Sequence, residues 1–133
     1  MSNRNVAIIR GLYDSVGKGD IDAFVEALDP AVEWNLAENF LYADGNPFVG
    51  PEAIRERLFA RVAAEWEAFS HDLEKFVADG DTVVVLGRYR AVSKSTGKHV
   101  DAQLVHVWEL RDGKIVRFQQ YTDTAQWRDA VNG

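Results

Sequence analysis

The sequence predicts an α+β fold in which helices pack on one face of a curved antiparallel sheet. Two observations carry this. Apolar residues recur at helical spacing through the first half of the chain, and after Phe69 the period drops to two, with Asp-Gly pairs between the alternating runs. Helices followed by a run of strands place the two kinds of element in separate layers.

Val6, Ile9, Leu12, Tyr13 and Val16 form the stripe of a first helix that ends at Gly17. Asp20 can cap a second, short helix carrying Ile21, Phe24, Val25 and Leu28. A turn at Pro30 leads into a short extended piece at 29–34. Residues 35–50, NLAENFLYADGNPFVG, have no clear period, and a long irregular segment in a compact domain is more often a functional loop than filler. Pro51 suits the first turn of a third, long helix, with Ile54, Leu58, Val62, Trp66 and Phe69 as its apolar stripe.

HDLEKFVA, TVVVLGRYRAV, HVDAQLVHVWEL and KIVRFQQYT then read as a four-strand meander with tight turns at Asp79-Gly80 and Asp112-Gly113 and a longer loop at SKSTG. Asp123 can cap a C-terminal helix, with Gln126 three residues on completing a capping-box pattern. Long antiparallel strands twist, so the sheet curves around the helices and its inner face lines a concavity.

The chain has 133 residues, of which 47% are hydrophobic, enough for the core of one domain over 1–133, with no linker or repeat to divide it. A net charge of −6 with no basic stripe argues against nucleic acid and anionic membrane surfaces as partners. No segment approaches the roughly 18 apolar residues of a membrane span, and the N-terminus lacks an apolar signal core. With no cysteine there is no disulfide and no thiolate nucleophile or ligand, and the expected location is cytoplasmic. His71, His99 and His106 lack the spacing of a metal site, no glycine-rich turn suits a dinucleotide, and no G-x-S-x-G elbow is present. Neither metal nor cofactor is therefore expected.

GDIDAFVEALDPAVEW, GPEAIRERL and VHVWELRDGKIVRFQQYTD together resemble the nuclear transport factor two-like superfamily and, within it, the SnoaL-like group related to polyketide cyclases and ketosteroid isomerase. The resemblance implies a ketosteroid isomerase-like roll with a conical pocket, and a dimer through the outer face of the sheet. It aligns His106 with a histidine that works in SnoaL-type cyclases. Gln120 stands where those cyclases carry an aspartate, and Trp34 lies about where ketosteroid isomerase has its base. A neutral amide is no general base, so neither activity transfers directly.

His106 sits in an apolar row with Leu104, Trp108 and Leu110, where a side chain that titrates near pH ~6.5 needs a partner. Strand parity puts Phe118 and Gln120 beside it and turns His99, Asp101, Gln103, Val105 and Val107 outward. His106 is thus either a structural hydrogen-bonder or an acid-base residue. Glu38 and Tyr42, in the irregular loop with Phe40, are the candidates for a second catalytic group. Trp34, Phe40, Phe59, Trp66, Trp108, Phe118 and Gln120 are expected to contact a ligand. The reading is a binder of a small, largely apolar, cyclic molecule. The alternatives are a cofactor-free isomerase, lyase, cyclase or epoxide hydrolase using His106, and a non-catalytic assembly module whose cup is filled by its own side chains.

Overall fold

The computed structural model describes residues 2–133, so Met1 of the expected 1–133 domain lies outside it. Helix α1 (Ser2–Gly17) buries Ile9 and Leu12, the centre of its apolar stripe. Helix α2 (Ile21–Glu26) begins at Asp20, whose side chain accepts a hydrogen bond from Ala23 N at 3.1 Å, as the sequence predicts. Strand β1 (Leu28–Asn35) and the short β2 (Phe48–Val49) flank the irregular loop, which holds one 3₁₀ turn at Ala43–Gly45. Gly50, with φ 89°, supplies the left-handed residue that lets Pro51 open the next helix.

That helix runs over 51–65 as α3 (Pro51–Ile54), a π turn (Arg55–Phe59) and α4 (Ala60–Glu65). It is shorter than expected. Trp66 and Phe69, assigned to its stripe, belong to β3 (Trp66–Asp79), where Trp66 is already extended at φ −127° and ψ 147°. Strands β4 (Thr82–Ser93), β5 (His99–Arg111) and β6 (Lys114–Thr122) complete the meander, and α5 (Thr124–Val131) closes the chain.

The sheet has six strands in the order β2-β1-β6-β5-β4-β3, curved and unclosed, and backs onto the helices as an α+β cone. The meander is antiparallel as expected, but β1 adds to it parallel to β6 through Trp34↔Phe118, making the sheet mixed. At the β5–β6 turn Asp112 (φ 51°) and Gly113 (φ 78°) are both left-handed, the geometry that a two-residue hairpin asks of an Asp-Gly pair. Asp123 stands at the N-cap of α5 without the expected cap bond. Its carboxylate instead accepts from Gln126 Nε2 at 3.1 Å.

Alternation along β4 and β5 divides the two faces. Val83, Val85, Tyr89 and Ala91 on β4, with Leu104, His106, Trp108 and Leu110 on β5, are buried. On the outer face, Arg88 and Arg90 bond Asp101 at 2.7 and 3.2 Å, and Arg90 reaches Asp72 at 3.3 Å.

One irregularity positions the site. From the Asp79↔Thr82 pair to Lys75↔Leu86, β3 and β4 run in regular register; between Leu73 and Lys75 β3 carries an extra residue. A straight count from the turn sets His71 opposite Arg90, on the outer face. The bulge sets it opposite Tyr89, on the inner face. Gly87, paired with Leu73, is the residue this requires: a Cβ there would stand 2.4 Å from Asp72 O.

Candidate functional site

Between α1, the 51–65 helix, α5 and the inner face of the sheet lies a cavity of about 260 Å³. Its walls are mostly apolar and aromatic. Trp34 stacks on Phe118 at 3.9 Å and meets Trp108 edge-on at 5.5 Å, and Phe59 packs against Phe24 at 5.1 Å. Phe40 reaches in from the loop, edge-on to Tyr42 at 5.7 Å and to Trp127 at 5.3 Å.

Polar groups come from α1 and the sheet. His106 is 2% exposed, and both of its ring nitrogens are engaged. Nδ1 lies 2.5 Å from the Tyr13 hydroxyl, and Nε2 lies 2.5 Å from the Tyr89 hydroxyl. Trp108 Nε1 donates to Tyr13 Oη at 3.1 Å, and Gln120 Nε2 donates to Tyr89 Oη at 2.8 Å. Gln120 Oε1 accepts from Ala37 N at 3.1 Å, which fixes the amide orientation and pins the loop to the sheet. The result is one buried chain of hydrogen bonds: Trp108, Tyr13, His106, Tyr89, Gln120, Ala37.

Burial sets the protonation states along this chain. It pushes the His106 pKa well below the usual value, and the neighbouring His71 adds to the effect, so the imidazole is neutral at pH 7. The Tyr13 and Tyr89 phenols are pushed up by the same desolvation and stay protonated. His71 is lowered to about 4 by burial. Its ring packs against Tyr13 at 5.4 Å, Tyr89 at 5.2 Å and His106 at 5.8 Å, and it borders the cavity without a hydrogen bond among the described residues.

His106, Gln120 and Tyr42 all border the cavity, as do Trp34, Phe40 and Phe59. Trp108 and Phe118 complete the expected set that does. Two expected residues do not. Glu38 is exposed because its neighbours Ala37 and Phe40 turn into the core, leaving the carboxylate outside, away from any acid-base role at the cavity. Trp66 is buried beside Trp127 at 4.9 Å and donates from Nε1 to Tyr42 Oη at 2.9 Å, so it braces the wall from behind. Tyr42 itself donates to Glu65, and its hydroxyl is committed to that contact. His106 too is placed differently from the expectation of a proton shuttle in contact with substrate, because the two tyrosines occupy both of its nitrogens. Sequence reasoning missed Tyr13, Tyr89 and His71. Tyr13 was visible on the apolar stripe of α1, and Tyr89 shares strand parity with Val83 and Val85. His71 is betrayed only by Gly87, a glycine in mid-strand opposite the bulge.

Among the described residues no cluster of three or more His, Cys, Asp or Glu side chains gathers to hold a metal, and no helix is long and apolar enough to cross a membrane. The filled cup expected of an assembly module does not describe this cavity of about 260 Å³.

Helices packed on a curved, unclosed six-strand mixed sheet are the architecture of the NTF2-like proteins. A family model for the SnoaL-like domain matches residues 9–118, and the chain belongs to that family. Among solved structures, an NTF2-like protein of Burkholderia thailandensis is 30% identical with a TM-score of 0.91, the match covering 97% of this chain and 98% of that one. TerC, co-crystallised with polyporic acid, is 27% identical with a TM-score of 0.87 over 98% of this chain and 99% of its own. A putative SnoaL-like polyketide cyclase of Jannaschia shares the fold at 22% identity and a TM-score of 0.84, over 99% of this chain and 94% of that one. No protein with a curated description matches the chain.

Proposed function

We propose that this protein binds a small, largely apolar, cyclic molecule in the cavity and sets one polar group of it against the Tyr13–His106–Tyr89–Gln120 chain. The observation that carries this is an apolar cavity bordered by one hydrogen-bonded chain of polar side chains, Tyr13, His106, Tyr89 and Gln120. Since a cavity of about 150 Å³ takes benzene, the volume here of about 260 Å³ suits a ligand of one or two rings. The co-crystallisation of the 27% identical TerC with polyporic acid supports an organic ligand in a pocket of this kind. In this reading the chain works as one cytoplasmic domain and pairs with a second copy through the outer face of the sheet, where Tyr121 (55% exposed) and Val77 (44% exposed) flank the half-buried Val105 and Val107.

Titration with naphthalene tests the binding. Saturable quenching of tryptophan fluorescence is expected, and Val62→Trp, which narrows the cavity, weakens it at least tenfold. Quenching that fails to saturate, or that is indifferent to Val62→Trp, overturns the proposal. A second reading, a cofactor-free isomerase or lyase, is favoured by one observation: two neutral imidazoles, His71 and His106, sit with ring centroids 5.8 Å apart at the cavity wall, and perturbed groups of this kind gather at catalytic sites.

A further inference from the structure

The hydrogens of the buried chain can be counted. A neutral imidazole carries one N–H and offers one bare nitrogen. Tyr13 and Tyr89 each bring one O–H hydrogen, and each phenol oxygen already accepts one bond, from Trp108 or from Gln120. Three hydrogens therefore compete for the two gaps between oxygen and nitrogen around His106. With the hydrogen on Nδ1, Tyr89 donates to Nε2 and the hydroxyl hydrogen of Tyr13 is left over. With the hydrogen on Nε2, Tyr13 donates to Nδ1 and that of Tyr89 is left over. In either tautomer one phenol has a spare donor, and both phenols border the cavity.

Beside them is a group with the opposite need. His71 lies on the same wall within ring contact of Tyr13, Tyr89 and His106, which are the titratable groups packed against it. It is neutral at pH 7 and so presents a nitrogen lone pair. No Asp, Glu, Lys or Arg is among the residues that line the cavity, so a charged ligand would lose its hydration without gaining a partner of opposite sign.

We propose that the ligand carries a neutral hydroxyl group, phenolic or enolic, whose hydrogen goes to His71 and whose oxygen takes the spare hydrogen of Tyr13 or Tyr89, with His106 selecting the donor by its tautomer and never touching the ligand. This rests on the cavity being the binding site. It assigns His71 as a ligand contact and His106 as a positioning residue. A single hydroxyl fits because it both donates and accepts, which matches one bare nitrogen beside one spare O–H.

Calorimetric titration of the full chain at pH 7 with naphthalene, 2-naphthol and 2-naphthoate tests it. Two hydrogen bonds of ordinary net strength predict that 2-naphthol binds at least about tenfold more tightly than naphthalene, and 2-naphthoate more weakly than either. His71→Phe brings the ratio of 2-naphthol to naphthalene affinity to about one. Tyr13→Phe and Tyr89→Phe each retain a preference, because the remaining phenol supplies the donor, while the double variant loses it. A measurement on the unaltered protein guards against misfolded variants: the ¹⁵N resonance of the bare His71 nitrogen moves upfield on adding 2-naphthol and stays in place with naphthalene. Naphthalene binding with no preference for 2-naphthol, or a stationary His71 resonance, overturns this inference and leaves the proposed function standing. Failure of both compounds to bind overturns both.

Discussion

Replacing Gly87 by alanine tests the element that aims His71 into the cavity. The backbone of Gly87 does not occupy the left-handed region, so alanine is allowed there on conformational grounds. In a strand interior, glycine to alanine is ordinarily worth about 0.5–1 kcal/mol in favour of alanine. The structure reverses that sign. The added Cβ would stand 2.4 Å from Asp72 O, 3.0 Å from Leu73 Cα and 3.2 Å from Asp72 C. Carbon atoms rest at roughly 3.5–4.0 Å from each other, so the bulge must retreat by about half an ångström or more. Strand β4 is hydrogen-bonded to β3 on one side and β5 on the other, which leaves it little room to yield. Overpacking of this kind costs about 1–3 kcal/mol. The expected result is a loss of about 2 kcal/mol in urea denaturation, read as a lower midpoint at unchanged slope, with a fall in Tm of about 6 °C. The His71 imidazole resonances shift in the same variant, since the bulge sets the face on which the ring lies. A variant as stable as the parent, or more so, refutes the assigned contact and with it the account of why His71 faces inward.

Three further outcomes are expected. Between pH 6.5 and about 4 the unfolded chain binds a proton at His71 that the folded chain refuses, so stability is full above pH 6.5 and falls as pH drops; from pH 7 to pH 5 the loss from His71 is about 2 kcal/mol. His106 adds to it with the same sign, and a urea midpoint that is flat over this range refutes the burial of both rings in neutral form. Tyr42→Phe keeps the ring but strands the buried Trp66 Nε1 donor, a cost of about 1–3 kcal/mol in chemical denaturation, where an unchanged midpoint counts against the bond. Val105→Lys converts a dimer to a monomer with the fold intact; sedimentation of parent and variant decides it, and a monomeric parent or a variant still dimeric at micromolar concentration defeats the proposed pairing.

What the sequence revealed and what it hid follow from the range of the interactions involved. The face of β5 was legible because two-residue alternation runs unbroken from Val100 to Leu110, so His106, Trp108 and the neighbouring Gln120 fall inside by parity alone. The turn at Asp112-Gly113 was legible because its backbone angles restrict residue choice locally. The end of the 51–65 helix was not. Trp66 and Phe69 continue the helical spacing of Leu58 and Val62, and no glycine or proline marks the change to extended backbone. In the loop, Glu38 was a candidate second catalytic group, whereas the loop turns between Ala37 and Phe40 so that these two side chains enter the core and Glu38 stays exposed. His71 was hidden by a one-residue insertion in the ladder, which inverts the parity from Leu73 back to Ser70, where a second irregularity begins. Tyr13 became a site residue only through packing of α1 on the sheet, a contact that no local pattern encodes.

The buried hydrogen-bond chain joins parts of the polypeptide that are far apart in sequence: Tyr13 meets His106 across 93 positions and Trp108 across 95, and Ala37 meets Gln120 across 83. Contacts of that span reward the chain only after the intervening loops have been closed, which makes such topologies slower to fold than helical bundles built on local contacts. The pocket therefore exists only where the first helix is docked onto the paired meander. Its polar wall has no local precursor, and no fragment that lacks α1 or the β5–β6 hairpin contains it. Trp108 is bonded at that seam to Tyr13, so its indole N–H marks the docking of α1 on β5.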